Sequence, residues 1–312
     1  MRVVCLGELL IDFVSNESGV GVGEASGFEK KPGGAPANVA VAVKKLGHES
    51  TFITQVGDDP FGHYLAGVLQ AADVDTSGIR YSTEARTALA FVSLAEGGER
   101  DFMFYRHPSA DMLMTADTLN LSALDDADIF HFGSITLISE PSRTATLKAA
   151  QTAIDKGLLV SYDPNLRLPL WEDAAAAREG MRQGLAYAHI VKLSDEELAF
   201  LGGNLDDIWQ PRTQLILVTA GSGGATAYTR AGSVQVDGYS VESVDTTGAG
   251  DSFVAGVLVG VLESDDYTDL ETLREMLRFA NAAGAIATTA RGAIPALPTR
   301  EQADSFIAEQ HD

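Results

Sequence analysis

The chain has 312 residues, 45% of them hydrophobic, with 44 acidic side chains against 22 Lys and Arg and a formal net charge of −22. That is enough apolar material for one large α/β domain or two small ones. Such an acidic balance argues against nucleic acid or an anionic membrane as a partner, and any phosphate-handling role requires positive charge concentrated locally.

The single cysteine, Cys5, allows no internal disulfide, which fits a reducing compartment. No basic segment followed by an apolar stretch marks a signal peptide, and no apolar run reaches the roughly 18–20 residues of a membrane span. A soluble, cytoplasmic protein is expected. Val3–Leu6 reads as a buried strand, with Cys5 as a core thiol. Asp12 follows as a lone acid after an apolar stretch. Residues 15–32, rich in Gly, Ser and Glu without helical period, read as an exposed loop. From Pro32 the pattern becomes Gly33-Gly34-Ala35-Pro36-Ala37-Asn38 and then small apolar residues up to Gly47. Pro36 suits a first helical turn and Gly47 an end. Asn38 offers both a donor and an acceptor there.

Thr51–Val56 reads as a strand, and the turn from Gly57 leads into a helix through about Ala72. Thr87–Leu94 and Arg100–Arg106 alternate as two strands joined by Ala95–Glu99, a β-hairpin inside an α/β chain and so a candidate lid. From Ile129 strands alternate with helices: strands Ile129–Phe132, Leu159–Tyr162, Ile190–Leu193 and Leu215–Thr219, with helices Pro141–Lys156 and Ala174–Ala188 and a short one near Asp195. Polar clusters follow three of these strands, where ligands sit in open parallel sheets. Short strands near 224–228 and 234–236 come next, and helices Leu270–Thr289 and from about Arg300 close the chain.

Asp245-Thr246-Thr247-Gly248-Ala249-Gly250-Asp251 runs straight into an apolar helix. A helix apolar all round is buried, so this stretch is a polar plug on its N-terminus, where free N–H groups make an anion site. The small residues 248–250 let an anion approach closely. Asp251 beside such a nest reads as a base facing a phosphate, and the positive helix end should keep it a weak one. Phosphoryl transfer tolerates that, because it needs positioning and charge stabilisation more than strong bases. Neither G-x-x-x-x-G-K-[ST] nor a G-x-G-x-x-G after the first strand is present, so the plug must serve as the anion cradle. Arg106 and Arg167 are candidate cations near the moving group, with a structural ion pair the open alternative for each.

These two stretches resemble the two signatures of the PfkB (ribokinase-like) sugar kinases. Gly33, Gly34, Asn38, Gly47 and Gly57 fall where the N-terminal signature places them, and Asp245–Asp251 is similar to the C-terminal one. The resemblance covers almost the whole chain. It implies a ribokinase-like three-layer α/β/α domain over residues 1–312, with a mostly parallel sheet and a small β lid from excursions at about 13–32 and 87–107. It implies ATP and Mg2+ as cofactors, with Asp251 as catalytic base, the amides of Gly248, Ala249 and Gly250 as anion cradle and Arg167 as a charge near the transfer. Sugar contacts would come from Asp12, Gly33, Gly34, Asn38, Tyr105, Arg106, Asp163 and Asn165. Lys192, Ser194, Thr219, Gly221, Gly224 and Asn281 would face the nucleotide. Ser194 and Glu197 stand in the positions of the family's Asn-x-x-Glu, where the Glu organises magnesium through water. Asp245 and Thr247 match positions that bind a monovalent cation, K+, in some members.

Within the family, Gly7–Phe13, Phe104–Met112, Asp163–Trp171 and Arg291–Thr299 are similar to the fructokinases. The implied reaction is ATP plus D-fructose giving fructose 6-phosphate. A 2-keto-3-deoxygluconate kinase is the alternative enzyme, since Tyr105, Arg106 and Arg167 could also hold a carboxylate. A sugar-binding regulator on a kinase fold is the alternative without catalysis. The hairpin edge allows a homodimer as readily as a covered edge within the chain.

Overall fold

Val3, Val4, Cys5 and Leu6 are all fully buried, so strand β1 (Arg2–Leu6) carries a layer on each face. The computed structural model describes residues 1–94 and 100–310. β1 lies within a nine-stranded sheet of described residues that also contains β4 (Glu49–Gly57), β5 (Asp75–Ser82), β8 (Ile129–Gly133), β9 (Leu159–Asp163), β10 (Ile190–Ser194), β11 (Leu215–Thr219), β12 (Ala225–Tyr228) and β13 (Ser233–Val236). The order is β13-β12-β11-β10-β9-β8-β1-β4-β5. Pairing is parallel from β11 to β5 and antiparallel for β12 and β13. The chain moves outward from β1 through β4 to β5, and on the other side from β8 to β11. The order therefore reverses between β1 and β8, where open sheets of this kind leave a crevice for ligands.

Side-chain alternation divides the core in two. Val3 and Cys5 join the cluster beneath α1 (Ala35–Lys45), α2 (Pro60–Ala71), α6 (Ala249–Glu263) and α7 (Leu270–Ala287). Val4 and Leu6 join the cluster beneath α3 (Ser142–Asp155), α4 (Ala174–Leu185) and α5 (Asp195–Phe200). Short α8 (Ala293–Ala296) and α9 (Arg300–Glu309) finish the chain. No helix among the described residues is long and apolar enough to cross a membrane.

A second sheet, ordered β3-β2-β6-β7, is built from β2 (Leu10–Ser18), β3 (Phe28–Gly33), β6 (Leu89–Leu94) and β7 (Arg100–Tyr105). The hairpin expected from 87–106 is therefore present as β6 and β7, and its joining residues 95–99 lie outside the described residues. The loop expected over 15–32 is corrected at both ends: β2 runs on through Ser18, and β3 begins at Phe28. β5 escaped the sequence reading altogether. β3 and β5 are both edge strands, only partly buried, and their polar and charged residues leave no apolar alternation.

Candidate active site

The carboxyl ends of the parallel strands set the floor of the site. Register places Gly133 of β8 beside Asp163 of β9, and Ser194 of β10 beside Thr219 of β11. Above them lies the start of α6, whose N-cap Gly248 is left-handed at φ 83°. A Cβ there would come within 2.8 Å of Ala293 Cβ, so a side chain is barred on both counts. Asp251 lies in the first turn of α6 and is buried. Its Oδ2 accepts a hydrogen bond from Asn38 Nδ2 at 2.7 Å, across 213 residues of sequence. Asn38 is itself 4% exposed, and its Oδ1 has no hydrogen-bond partner among the described residues.

Burial pushes the Asp251 carboxyl up to about 6, with Asp163 adding to the rise, while the Asn38 bond and the charges of Arg167 and Lys192 pull it down. The expected weak base is thereby corrected: loss of water outweighs the positive helix end. A carboxylate near 6 is well matched to take a proton at neutral pH.

Lys192 supplies the concentrated positive charge that so acidic a chain requires. Its Nζ lies 3.1 Å from Asp163 Oδ2, and the pair is nearly closed to solvent at 11% and 6% exposure. A Cβ added to Gly250 would lie 3.4 Å from that Nζ, which puts the ammonium at the amide nest. Burial opposes the lysine's charge, but Asp163, Glu197 and Asp251 outweigh it, and its pKa is raised. Arg167 is half-buried and donates to the Leu166 carbonyl at 3.1 Å. Asn165, at φ 47°, donates its amide to Asp163 Oδ1. His131, behind this group on β8, contacts Ser161 Oγ at 3.0 Å. Burial, with Lys192 nearby, holds it down to about 3, so it is neutral.

The residues expected at the sugar fall at the junction of the two sheets. The Asp12 carboxylate lies against Gly33, whose missing side chain makes room for it. Gly34, at φ 119°, caps α1, and a Cβ there would collide with the Glu8 carbonyl. Tyr105, at the end of β7, is 57% exposed, its ring against the edge of Phe91. Arg106 realises the ion-pair alternative: it is 3% exposed and donates to Asp111, which also accepts from Ser109.

On the other side, Ser194 and Glu197 form a capping box on α5. Ser194 Oγ accepts from Glu197 N at 3.1 Å, and Glu197 Oε2 accepts from Ser194 N at 2.8 Å. Glu197 Oε1 accepts from Leu166 N at 2.7 Å. The S-x-x-E spacing of a capping box is present in the sequence at Ser194–Glu197. Ser194→Ala should lower stability by about 1 kcal/mol through loss of the cap, read as a shift of the urea midpoint at unchanged slope. Thr219 donates to the Leu193 carbonyl, and Gly221 and Gly224 take positive φ in the following turn. Asn281 Nδ2 donates to the carbonyls of Val236 and Asp237, clamping the end of β13 to α7. Asp245 Oδ1 accepts from the amide and hydroxyl of Thr247, and its Oδ2 accepts from Gly292 N, so it ties the plug to the loop before α8.

Glu8 was missed. It is 2% exposed and accepts from Ala35 N at 2.8 Å. The cue that marked Asp12, a lone acid after an apolar stretch, applied equally to Glu8 after Val3-Val4-Cys5-Leu6-Gly7.

An open α/β sheet that brings an amide nest, a buried acid and a buried cation to its switch point has the architecture of a phosphoryl-transferring enzyme. The family model described as pfkB family carbohydrate kinase matches residues 1–300, and the chain belongs to that family. It is 52% identical over 316 residues to "Probable fructokinase-2" of Arabidopsis thaliana, covering 99% of this chain and 96% of that protein. Fructokinase with bound ATP from Xylella fastidiosa superposes with a TM-score of 0.92 at 37% identity, covering 100% of this chain and 99% of the other. A double-mutant fructokinase from Vibrio cholerae, in fructose, ADP and potassium ion bound form, superposes with a TM-score of 0.87 at 34% identity over 98% of each chain. The chain is an ATP-dependent sugar kinase by family and is similar throughout to fructokinases.

Proposed function

We propose that the chain transfers the γ-phosphoryl group of ATP to D-fructose, giving fructose 6-phosphate and ADP. The observation that carries the reading is the buried Asp251 carboxylate, held by Asn38 beside the Gly248–Gly250 nest and the Lys192 ammonium. Similarity to fructokinases supports the choice of sugar. Asp251 takes the proton of the attacking hydroxyl. The amides of Gly248, Ala249 and Gly250, with Lys192 and Arg167, offset the charge on the moving group. Asp12, Gly33, Gly34 and Asn38 hold sugar hydroxyls, with Asp163, Asn165 and Tyr105 at the edges of that site. Thr219, Gly221, Gly224 and Asn281 border the nucleotide.

Among the described residues, no group of three or more His, Cys, Asp or Glu side chains is placed to hold a metal ion. That suits magnesium carried on nucleotide phosphates and its own waters, which needs few protein carboxylates. Each Glu197 oxygen accepts one main-chain N–H and keeps a second lone pair, with which it can accept from a water on such an ion. Bound magnesium supplies charge neutralisation of the phosphates. Asp245 and Thr247 are the residues for a monovalent cation.

ADP release over fructose, glucose, ribose, 2-keto-3-deoxygluconate and adenosine tests the assignment. Fructose should give the highest kcat/KM, and a higher value for the keto-acid would transfer the assignment to it. The chain acts as one kinase domain, and the sheet β3-β2-β6-β7 closes over the sugar to exclude water. Fructose should slow amide exchange in β2, β3, β6 and β7 and leave β11 nearly unchanged. Equal exchange with and without sugar would make that sheet a fixed decoration.

A further inference from the structure

Residues 7–9 link β1 to β2, and the small sheet returns to the core at Gly33–Ala35 and again at Arg106. Glu8 is the acid buried where these crossings meet. Its own segment is fixed to the core: Gly7 N donates to the Ile53 carbonyl at 3.3 Å, and Thr54 Oγ1 donates to the Gly7 carbonyl at 2.7 Å. From that anchor the Glu8 carboxylate accepts the amide of Ala35, the first residue of α1, at 2.8 Å. The backbones interlock as well. A Cβ on Gly7 would collide with Pro36, and one on Gly34 with the Glu8 carbonyl. One turn further along α1, Asn38 donates its amide N–H to Gly34 and its side chain to Asp251. A continuous path of contacts therefore runs from β4 through Glu8 and the start of α1 to the proposed base.

We propose that Glu8 is a positioning residue for phosphoryl transfer: it fixes the amino end of α1, so that Asn38 holds Asp251 in line with the sugar hydroxyl. Burial pushes the Glu8 carboxyl up to about 7, against main-chain hydrogen bonds and then the Arg106 guanidinium, which favour its charge, while Asp111 opposes it. What the first turn of α1 requires is an acceptor at this length. A displaced helix end moves Asn38, and misplacement of about 1 Å at a reacting group can cost ~10²-fold in rate. The inference rests on the kinase reading of the site.

The test compares Glu8→Ala, Glu8→Asp and Glu8→Gln in the full chain by steady-state ADP release with fructose, each checked for folding by thermal melting. Glu8→Ala should lower kcat by about tenfold or more and leave the KM for ATP unchanged, because the nucleotide side is untouched. Glu8→Gln keeps both length and acceptor and should recover most of the loss. Glu8→Asp keeps the charge but draws the acceptor back, and should resemble Glu8→Ala. On an Asn38→Ala background, Glu8→Ala should add less than its full effect, because the two act in series. If Glu8→Ala does not fold, the order of Gln over Asp decides. Native kcat in a folded Glu8→Ala, Asp recovering better than Gln, or fully multiplicative losses with Asn38→Ala would each overturn the proposal. Failure of the wild-type chain to turn over fructose sinks the substrate assignment instead. The Glu8 series is then read on whichever sugar the panel identifies.

Discussion

Asp251→Asn should abolish turnover, lowering kcat by at least about 10²-fold, while the protein folds and binds ATP normally. Asn keeps the shape of the side chain and can still accept from Asn38, so the contact that orients position 251 survives. What is lost is the ability to take a proton. The wild-type profile carries the same signature. The base acts when deprotonated, so kcat/KM should hold above about pH 6 and fall below it, where Asp251 gains its proton. Stability runs the other way. The folded-state value lies above the unfolded reference of about 3.9. Asp251 therefore contributes its full stability below about pH 4 and loses it as pH rises through about 6. At pH 8 the inactive Asp251→Asn chain should melt above the wild type, and at pH 4 the gap should shrink. A folded variant with near-native turnover would remove Asp251 from the chemistry, and a variant less stable at pH 8 would contradict the burial account.

Lys192→Met should lower stability by about 3 kcal/mol, at the lower end for breaking a buried pair from one side, because Asp163 is left charged in a nearly closed site. The lysine's raised pKa gives the sign: its stabilisation is fully present below about pH 10 and fades only as pH rises through the folded-state value. The deficit should therefore be seen across neutral pH. Adding Asp163→Asn removes the uncompensated charge and should recover much of the stability. Turnover should not return with it, since the ammonium beside Gly250 is still missing. Urea unfolding and ADP release on the same preparations separate the two effects. Recovery of both together would make Lys192 a structural partner of Asp163 and nothing more.

Much of the fold was legible before any coordinates. β1, β8, β9, β10 and β11 are short, mainly apolar segments buried on both faces along most of their length, and such burial shows in sequence as runs rich in Val, Ile and Leu. The helix behind the plug was equally plain, because residues 253–259 are apolar or glycine and all are buried. The nest was legible for a local reason: three small residues ahead of a helix create an anion site out of backbone alone. What failed were edge strands, β3 and β5, whose polar and charged residues leave no apolar period, and the joining of partners far apart in the chain. Nothing local in Asn38 announces a bond to Asp251 across 213 residues. Asp163 follows one expected strand and Lys192 lies within the next, but their pairing follows from β9 and β10 lying side by side. Glu197 showed its acid and its spacing, while the tertiary fold decided that both its oxygens accept main-chain amides. The sharpest divergence is the state of Asp251. Sequence alone determined that an acid stands at a positive helix end, which favours its charge. Only the packing of α1, α6 and the sheet determined how far water is withdrawn from it, and desolvation is the larger of the two effects.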